Sequence, residues 1–382
     1  MLVGIVGKPS SGKSTFFKAL TMAEAEIADY PFTTIKPNHG VGFVRVKCAC
    51  KDFGKECGKC RQGWRFVPIE LLDVAGLVPG AHEGKGMGNQ FLDDLRRADV
   101  LIHVVDASGT TNEKGEKCEP GSYDPENEVE FLKKEIDQWF LRLVKKDVEE
   151  VLSRLKHSKI EVRKELTEKV TGLNISEKQL ERSVKQAGLD FNRVKEWSEE
   201  DFGNLASELR EIKPIIIAAN KIDLPSSREL PGSISVSALA ELALRKAMEQ
   251  GRADYVPGSS EFGLDTGGMD PRKIKGFEII RELMKKRGST GVQECLNKAV
   301  LDVLGFIVVF PVEDENKLSN KRGEVMPDAL LMPPGSTVID LAFKVHNDIG
   351  KGFVKGFDCR TRKPVSKEHE LKMGDVIKIF SK

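Results

Sequence analysis

Hydrophobic residues follow two spacings along this chain, short continuous runs and longer stretches of helical periodicity. The continuous runs lie at residues 2–6, 68–74, 100–105 and 214–219, and such runs are typical of the buried strands of a parallel sheet. The first run leads into a helix that we expect to begin at Ser14. Apolar strands that alternate with helical stretches predict an α/β fold with a doubly wound parallel sheet.

Residues 125–213 have a different texture, because Glu, Lys, Leu and Val recur at helical spacing while Gly and Pro are scarce. This pattern predicts long charged helices, arranged as an antiparallel helical hairpin that projects from the domain. The segment separates two strands predicted for one sheet, so it is an insertion. We therefore predict an α/β domain formed by residues 1–124 and 214–304, interrupted by a helical insertion at 125–213.

The last third of the chain alternates loop and ordered segments. Residues 251–271 are rich in Gly, Ser and Asp and are expected to form a loop or to be poorly ordered. Residues 273–303 are expected to form a short helical stretch. Residues 305–382 are expected to form a compact α+β module of β-grasp type, with a strand at 306–310, a turn at 333–336, a helix at 338–348 and a closing strand at 375–380.

A motif between the first strand and the first helix matches the phosphate-binding pattern G-x-x-x-x-G-K-[ST]: Gly7, Lys8, Pro9, Ser10, Ser11, Gly12, Lys13 and Ser14. Glycines let the backbone curl so that successive N–H groups point at the phosphates, and the following helix adds its positive end. We expect Lys13 to reach the β- and γ-phosphates and the Ser14 hydroxyl to ligate Mg²⁺. Thr15 completes the predicted phosphate site.

Two further segments carry groups suited to the metal and the γ-phosphate. Asp73 and Gly76 form a D-x-x-G motif after the second apolar run, where the Asp can hold Mg²⁺ through water and the Gly N–H can sense the γ-phosphate. Phe32, Thr33 and Thr34 lie in a loop whose threonine can close over the metal when the γ-phosphate is present. A turn that leads into a strand is the alternative for that loop.

The motif Asn220-Lys221-Ile222-Asp223 follows the last apolar run. The carboxylate of Asp223 can accept hydrogen bonds from N1–H and the 2-amino group of guanine, whereas adenine offers neither donor. The stem of Lys221 can cover the base, and a backbone N–H of Ser237 or Ala238 can reach the guanine carbonyl. Asn220, Lys221, Asp223, Ser237 and Ala238 therefore predict a guanine site.

Together these motifs resemble the five G-motifs of translation-factor-type GTPases. The combination of YPFTT, DVAGLVPGAHEGKGMGNQFL and the strand-terminal Asp106 resembles the Obg-related superfamily, particularly its YchF-like branch. That branch has a helical coiled-coil insertion before the base motif and a C-terminal TGS module, to which residues 125–213 and 305–382 correspond. The resemblance implies Mg²⁺ ligation by Ser14 and Thr34, slow GTP hydrolysis, and association with ribosomes or RNA.

Three departures from the family pattern matter. Many YchF proteins have a degenerate base motif and prefer ATP, but the motif that ends in Asp223 is intact, so we expect a preference for guanine. Leu77 occupies the place where Ras-like enzymes have a water-orienting Gln, so the intrinsic rate should be low. His82 could supply that function, although an exposed loop histidine without a role is the alternative. Ser10 replaces an Asn linked to potassium activation in Obg-type proteins.

The predicted chemistry is the in-line attack of water on the γ-phosphate of GTP, which yields GDP. Lys13 and Mg²⁺ would stabilise the charge that spreads over the phosphoryl oxygens. The candidate catalytic residues are Lys13, Thr34, Gly76 and His82. The protein is then a switch whose hydrolysis resets a ribosome-linked cycle; alternatively it is an RNA- or ribosome-binding adaptor whose shape nucleotide tunes, or an ATPase as in some YchF-like relatives.

Four cysteines lie close together in the sequence: Cys48, Cys50, Cys57 and Cys60. A C-x-C pair followed by a C-x-x-C pair suits tetrahedral Zn²⁺, because four thiolates on two tight turns can enclose one ion. Two disulfides or free thiols are the alternatives. Cys118, Cys295 and Cys359 are isolated.

A net charge of +1 excludes the global field of a dedicated nucleic-acid binder, so any basic surface must be local. Such a cluster lies in the C-terminal module, where Phe353 and Phe357 are interleaved with Lys351, Lys355, Arg360, Arg362, Lys363 and Lys367. Cations that grip phosphates and aromatic rings that stack on bases would suit RNA. A solvated charged face over core Phe residues is the alternative.

The chain shows no signal peptide and no apolar run long enough to cross a membrane. Its seven cysteines do not resemble a secreted disulfide framework. We therefore expect a cytoplasmic protein without a membrane partner. A protein partner through the helical insertion or the C-terminal module is also conceivable.

Overall fold

The structure is a computed structural model that describes residues 1–21, 38–74, 94–155, 162–171 and 175–382. Its largest sheet has six strands in the order β2-β3-β1-β4-β5-β6. These strands are β1 Leu2–Val6, β2 His39–Lys47, β3 Trp64–Asp73, β4 Val100–Asp106, β5 Ile215–Asn220 and β6 Ile234–Ser235. All neighbours pair in parallel except β2, which is antiparallel to β3. The predicted doubly wound α/β sheet is confirmed.

Strand β2 was not among the predicted apolar runs, because it lies at the edge of the sheet and buries only alternate residues. Its buried positions are Gly40, Gly42, Val44 and Val46, which face the core with the period of two that a half-buried strand requires. The central strand β4 is buried at every position, which explains its continuous apolar run.

The helices of the chain, numbered in order, are α1 Lys13–Thr21, α2 Pro125–Leu155, α3 Val162–Thr171, α4 Glu177–Gln186, α5 Glu199–Glu211, α6 Ala238–Glu249, α7 Pro271–Arg287, α8 Val292–Asn297, α9 Val338–Val345 and α10 Asn347–Lys351. Two short 3₁₀ helices lie at Ala49–Phe53 and Phe191–Glu196, and a π-helical turn at Lys298–Val303 continues α8. Helix α1 follows β1 directly, as the sequence predicted.

The segment 125–213 is helical in its described parts, but it is more than the predicted hairpin. Helices α2 and α5 pack against each other, and α3 and α4 extend the group. One apolar cluster joins this group to the central sheet and includes Leu2, Val6, Leu101, Leu132, Ile136, Phe140, Leu205 and Leu209. The base of the insertion therefore covers one face of the sheet, because those apolar helix faces have no other core to enter.

The loop predicted at residues 251–271 is wrong at residues 253–255 and 262–264. Two three-residue strands, β7 Ala253–Tyr255 and β8 Phe262–Leu264, form an antiparallel hairpin there. Tyr255 is buried, and its hydroxyl lies 2.7 Å from a carboxylate oxygen of Glu241 on α6. Strands this short show no periodicity, and the contact with α6 decides their conformation.

The C-terminal domain has a five-stranded sheet in the order β10-β9-β13-β11-β12. Its strands are β9 Ile307–Val312, β10 Leu330–Met332, β11 Phe353–Asp358, β12 Lys363–Val365 and β13 Val376–Ser381. The first and last strands, β9 and β13, pair in parallel at the centre, and α9 packs on one face through Val338 and Leu341. This arrangement confirms the predicted β-grasp module.

The other face of that sheet meets the α/β domain. Val308, Phe310 and Val376 belong to the same apolar cluster as Val44 and Val67 of the β2–β3 pair. The two domains therefore share a hydrophobic core. Within the described part of the chain, no helix combines the length and apolar character that a membrane crossing needs.

A buried ion pair connects the phosphate loop to the insertion. The side chain of Lys8 is almost fully buried, and its Nζ lies 3.2 Å from Oε2 of Glu128, in the first turn of α2. Lys8 also donates a hydrogen bond of 2.7 Å to the carbonyl of Thr111. Burial, together with the charge of Lys8, lowers the pKa of the neighbouring His103 to about 3, so that imidazole is neutral at physiological pH.

We predict that Glu128→Ala destabilises the fold by about 3–5 kcal/mol, because it leaves the Lys8 cation buried without its carboxylate. The exposed Glu130→Ala variant is the matched control on the same helix and should change stability by less than about 0.5 kcal/mol. Urea unfolding, followed through the fluorescence of Trp139 on α2, measures both. Equal midpoints for the two variants would contradict the prediction.

Candidate nucleotide-binding site

The phosphate motif forms a tight loop between the carboxyl end of β1 and the start of α1 at Lys13. Ser10 and Gly12 adopt left-handed backbone conformations, with φ of 64° and 94°. A Cβ at Gly12 would lie 2.2 Å from Nδ2 of Asn220, so only glycine allows this close approach. A loop of this shape at a helix N-terminus presents backbone N–H groups to an anion.

Lys13 and Asp73 meet at the carboxyl edge of the sheet. Nζ of Lys13 lies 2.9 Å from Oδ1 of Asp73 and also donates a hydrogen bond to the carbonyl of Val74. Both side chains are partly exposed. Because β1 and β3 are adjacent parallel strands, the sheet itself brings this cation and this carboxylate together.

The remaining residues of the phosphate motif differ in whether their side chains face solvent or the interior. Pro9, Ser10 and Ser14 are exposed and Thr15 is half-buried, whereas Ser11 is buried. Lys8 directs its ammonium group into the ion pair with Glu128, away from solvent. Lys8 can therefore serve the phosphate site through its backbone N–H alone.

Asn220, at the end of β5, connects the two halves of the candidate site. Its Nδ2 donates a hydrogen bond of 2.9 Å to the carbonyl of Ser11 in the phosphate loop. Its Oδ1 accepts one of 3.0 Å from the N–H of Ala238. The side chain is buried, so both bonds are shielded from water. Both N–H groups that the sequence offered for the guanine carbonyl have protein partners in this structure, since the N–H of Ser237 donates to the carbonyl of Thr290.

Lys221 is held across the site by a carboxylate on the neighbouring strand. Its backbone is left-handed, with φ of 67°, and its Nζ donates a hydrogen bond of 2.8 Å to Oδ2 of Asp106 at the end of β4. Burial raises the pKa of Asp106, but hydrogen bonds from Lys221, Ser108 and Thr111 outweigh it and hold that pKa below its usual value. Asp106 is thus an ionised anchor for the lysine.

Asp223 is half-buried beside the start of α6. Its Oδ1 accepts a hydrogen bond of 2.7 Å from Oγ of Ser237. The same Ser237 hydroxyl caps α6 by accepting a bond from the N–H of Ala240. The cap therefore orients the carboxylate that the sequence assigns to the purine.

Five predicted site residues lie outside the described part of the chain: Phe32, Thr33, Thr34, Gly76 and His82. The structure brings together the others, from the phosphate loop, Asp73 and the Asn220–Asp223 motif. Sequence reasoning did not assign the roles of Asp106 and Glu128. The position of Asp106 at the end of an apolar strand was a usable signal, whereas nothing in a charged helix distinguished Glu128 from its neighbours.

The basic cluster of the C-terminal domain exposes all six of its cations. Its aromatic residues do not accompany them: Phe353 packs on the core beneath α9, and Phe357 on the core shared with the α/β domain. Arg360 pairs with Asp52 at 2.7 Å. This face can attract phosphates, while both rings are half-buried against the two cores.

The four cysteines predicted to bind zinc are clustered in the structure. The Sγ atoms of Cys48, Cys50, Cys57 and Cys60 all lie within 4.8 Å of one another. The cluster lies between β2 and β3, and all four residues belong to or pack against the shared core. It is separate from the phosphate loop.

Known families match three parts of the chain. The family described as 50S ribosome-binding GTPase matches residues 2–153. The family described as Obg-like GTPase YGR210-like, G4 motif-containing domain, matches residues 218–314, and the TGS domain matches residues 321–381.

Individual relatives extend over the whole chain. An uncharacterized GTP-binding protein of Methanocaldococcus jannaschii is 45% identical, over 100% of this chain and 99% of the relative. The ribosome-binding ATPase YchF of Mycoplasma pneumoniae is 34% identical, over 92% of this chain and 88% of the relative. The crystal structure of a GTP-binding protein from Pyrococcus horikoshii is 34% identical and superposes over 100% of both chains with a TM-score of 0.76.

The matched families, the full-length similarity and the P-loop sheet agree with the resemblance that the motifs indicated. This chain belongs to the Obg-related family of P-loop GTPases, in its YchF-like branch with a C-terminal TGS domain.

Proposed function

We propose that this protein binds GTP with Mg²⁺ and hydrolyses it to GDP as a molecular switch. The observation that carries the proposal is the buried side chain of Asn220, which bonds at 2.9 Å to the phosphate loop and at 3.0 Å to the segment that follows β6. A single nucleotide that lies along this edge would reach Lys13 with its phosphates and Asp223 with its base.

Guanine is the base that the site suits. The hydroxyl of Ser237 orients the carboxylate of Asp223, which can then accept hydrogen bonds from N1–H and the 2-amino group of guanine. Adenine would offer this half-buried carboxylate no donor of its own, which costs binding energy. Lys221, anchored by Asp106, would lay its stem across the base. We therefore favour GTP, although relatives of this branch carry the name ribosome-binding ATPase.

The same edge holds Ser14 and Asp73 for Mg²⁺ and Lys13 for the reaction. Ser14 would ligate the ion, Asp73 would hold it through water, and Thr34 would complete its coordination when the γ-phosphate is bound. Mg²⁺ supplies charge that neutralises the phosphate oxygens. Lys13 would exchange its contact with Asp73 for the β- and γ-phosphates, and so stabilise the charge that develops as water attacks.

Like Thr34, three further residues that enter the proposal lie outside the described part of the chain. Leu77 cannot orient water, so we expect slow intrinsic hydrolysis. His82 is the candidate to position that water, and the N–H of Gly76 to sense the γ-phosphate. A slow enzyme of this kind needs a partner that accelerates the reaction.

We propose that the partner is a ribosome in the cytoplasm. The matched family is described as ribosome-binding, and the related YchF proteins carry the same description. The exposed lysines at positions 351, 355, 363 and 367 give the TGS domain a local positive surface on a chain of net charge +1. Such a surface can grip RNA phosphates without base recognition.

For the base, we predict that Asp223→Asn weakens GTP binding by about 100-fold, because a carboxylate that accepts two hydrogen bonds is lost. The variant should gain affinity for xanthosine triphosphate, whose base offers the complementary groups. Calorimetric competition among GTP, GDP, ATP and xanthosine triphosphate with Mg²⁺ measures this. Asp254→Asn, on the exposed face of β7, is the matched control and should bind GTP like the wild type. Unchanged GTP affinity in Asp223→Asn would refute the base assignment.

For the switch, we predict that 50S ribosomal subunits accelerate single-turnover GTP hydrolysis by about tenfold or more, as activating partners do for slow GTPases. Replacing Lys351, Lys355, Lys363 and Lys367 by Ala should reduce this acceleration and the binding to subunits, while GTP affinity stays unchanged. Subunit binding that is independent of nucleotide and gives no acceleration would instead favour the adaptor function.

A further inference from the structure

The connection between β2 and β3 gathers four thiols that the nucleotide chemistry does not use. Cys48 follows β2, Cys50 lies in the 3₁₀ helix Ala49–Phe53, and Cys57 and Cys60 lie on the return to β3. The Sγ atoms of Cys48 and Cys57 are 3.7 Å apart, as are those of Cys50 and Cys60. All four sulfur atoms lie within 4.8 Å of one another.

These separations suit one tetrahedral ion. Zinc–thiolate bonds of about 2.3 Å place the sulfur atoms at the corners of a tetrahedron whose edges are about 3.8 Å. A disulfide needs its two sulfur atoms about 2.05 Å apart. Two separate disulfides would also not require all four sulfur atoms to lie around one point. Hard cations such as Mg²⁺ prefer oxygen ligands, so a set of four sulfurs selects a thiophilic metal.

The backbone of the loop is built to turn the thiols inward. Gly54 and Gly58 adopt left-handed conformations, with φ of 63° and 65°, and so permit two tight turns within a short segment. The N–H of Lys59 points at Sγ of Cys57 from 3.4 Å, and the N–H of Cys48 donates a bond of 2.8 Å to the carbonyl of Gly63. N–H groups directed at sulfur stabilise metal-bound thiolates.

A buried cation beside the thiols provides independent support. Arg65 is only 5% exposed. Its Nη1 points at Sγ of Cys57 from 3.8 Å, and its Nη2 donates to the carbonyl of Pro327. Among residues of the described ranges, no carboxylate forms an ion pair with it. Buried charges need an opposite charge, and a zinc ion with four thiolates carries a net charge of −2.

We propose that Cys48, Cys50, Cys57 and Cys60 bind one Zn²⁺ ion, which holds the β2–β3 connection in the shape that docks the TGS domain. Binding displaces the thiol protons to solvent, and the ion keeps its charge and oxidation state. All four positions are protein ligands, so the site is structural and offers no open coordination position for catalysis.

The docking role follows from what the loop touches. Asp52 pairs with Arg360 of the TGS domain at 2.7 Å. The guanidinium of Arg360 also lies 5.4 Å from the ring centroid of Phe53. Arg65 reaches from Cys57 to Pro327, in the segment between β9 and β10. Cys48, Cys50 and Cys57 belong to the apolar cluster that contains Leu318, Met326 and Val376 of the C-terminal part, and Cys60 packs against it. Without the ion, a loop of this size has little core of its own to keep these groups in place.

Metal analysis of the full-length protein, purified without chelators from zinc-supplemented culture, tests the site. We expect about one zinc per chain in the wild type and almost none in the double variant Cys57→Ser and Cys60→Ser. Cys118→Ser is the matched control, because that isolated thiol is half-buried elsewhere, and it should retain the zinc. Nonreducing mass spectrometry should find no disulfide among the four cysteines.

Exchange of zinc for Co²⁺ in the wild type keeps the proposal testable if the double variant does not fold. The cobalt protein should show the intense visible absorption of a tetrahedral thiolate site. A metal-free wild type, disulfides between these cysteines, or an iron–sulfur chromophore would each overturn the proposal. GTP affinity of the same samples is measured separately, so failure of the nucleotide proposal is distinguishable from failure of this one.

Hydrogen exchange tests the docking role. Removing zinc from the wild type should speed amide exchange at residues 318–329 and around Arg360, while α7 keeps its rate. Asp52→Asn should retain the zinc and speed exchange around Arg360 alone, because it removes one contact and leaves the loop intact. Unchanged exchange after zinc removal would refute the docking role.

Discussion

Parallel pairing of β1, β3, β4 and β5 is the constraint on which the proposed site depends. Parallel strands end at one edge, so Asp73, Asp106 and Asn220 meet the phosphate loop there although they lie far apart in the chain. The buried amide of Asn220 then bonds both to the phosphate loop and to the start of α6. A shift of the phosphate loop or of the start of α6 must therefore either move the other segment or break a hydrogen bond of Asn220.

The phosphate loop is also tied to the helical insertion. Lys8, within the loop, points its ammonium group at Glu128 in the first turn of α2 and not at the phosphates. This pair is buried, so water does not weaken the attraction between the two charges. The insertion also completes the core on one face of the sheet, through residues such as Phe140 and Leu205. The phosphate loop thus has a direct contact with the helices of the insertion.

The TGS domain packs against the β2–β3 pair at the edge of the six-stranded sheet. Val44 and Val67 of the β2–β3 pair share a core with Val308 and Phe310 of the β-grasp sheet. The cysteine loop lies at the end of that same pair, beside Pro327 and Arg360. The antiparallel edge strand therefore has two functions in the fold: it extends the nucleotide-binding sheet, and it carries the surface on which the C-terminal domain rests.

Sequence alone determined the elements whose chemistry is local. The phosphate loop could be predicted because only glycine suits the conformation of Gly12, and strands β1 and β4 could be predicted because they are buried at every position. The order of the motifs along strands then indicated the family, whereas the spacing of four cysteines left a metal site, disulfides and free thiols as alternatives. The short strands β7 and β8, by contrast, have no periodicity to detect.

Tertiary structure decided the contacts that join distant segments. The partner of Lys8 is a glutamate 120 positions away (128 − 8), and the phenylalanines of the basic cluster turn into two different cores. No local pattern marks such pairs, because burial and charge compensation depend on where the whole chain brings its helices and sheets together. The candidate nucleotide-binding residues could thus be identified from the sequence, whereas the orientation of their side chains and the partners that hold them were set by packing.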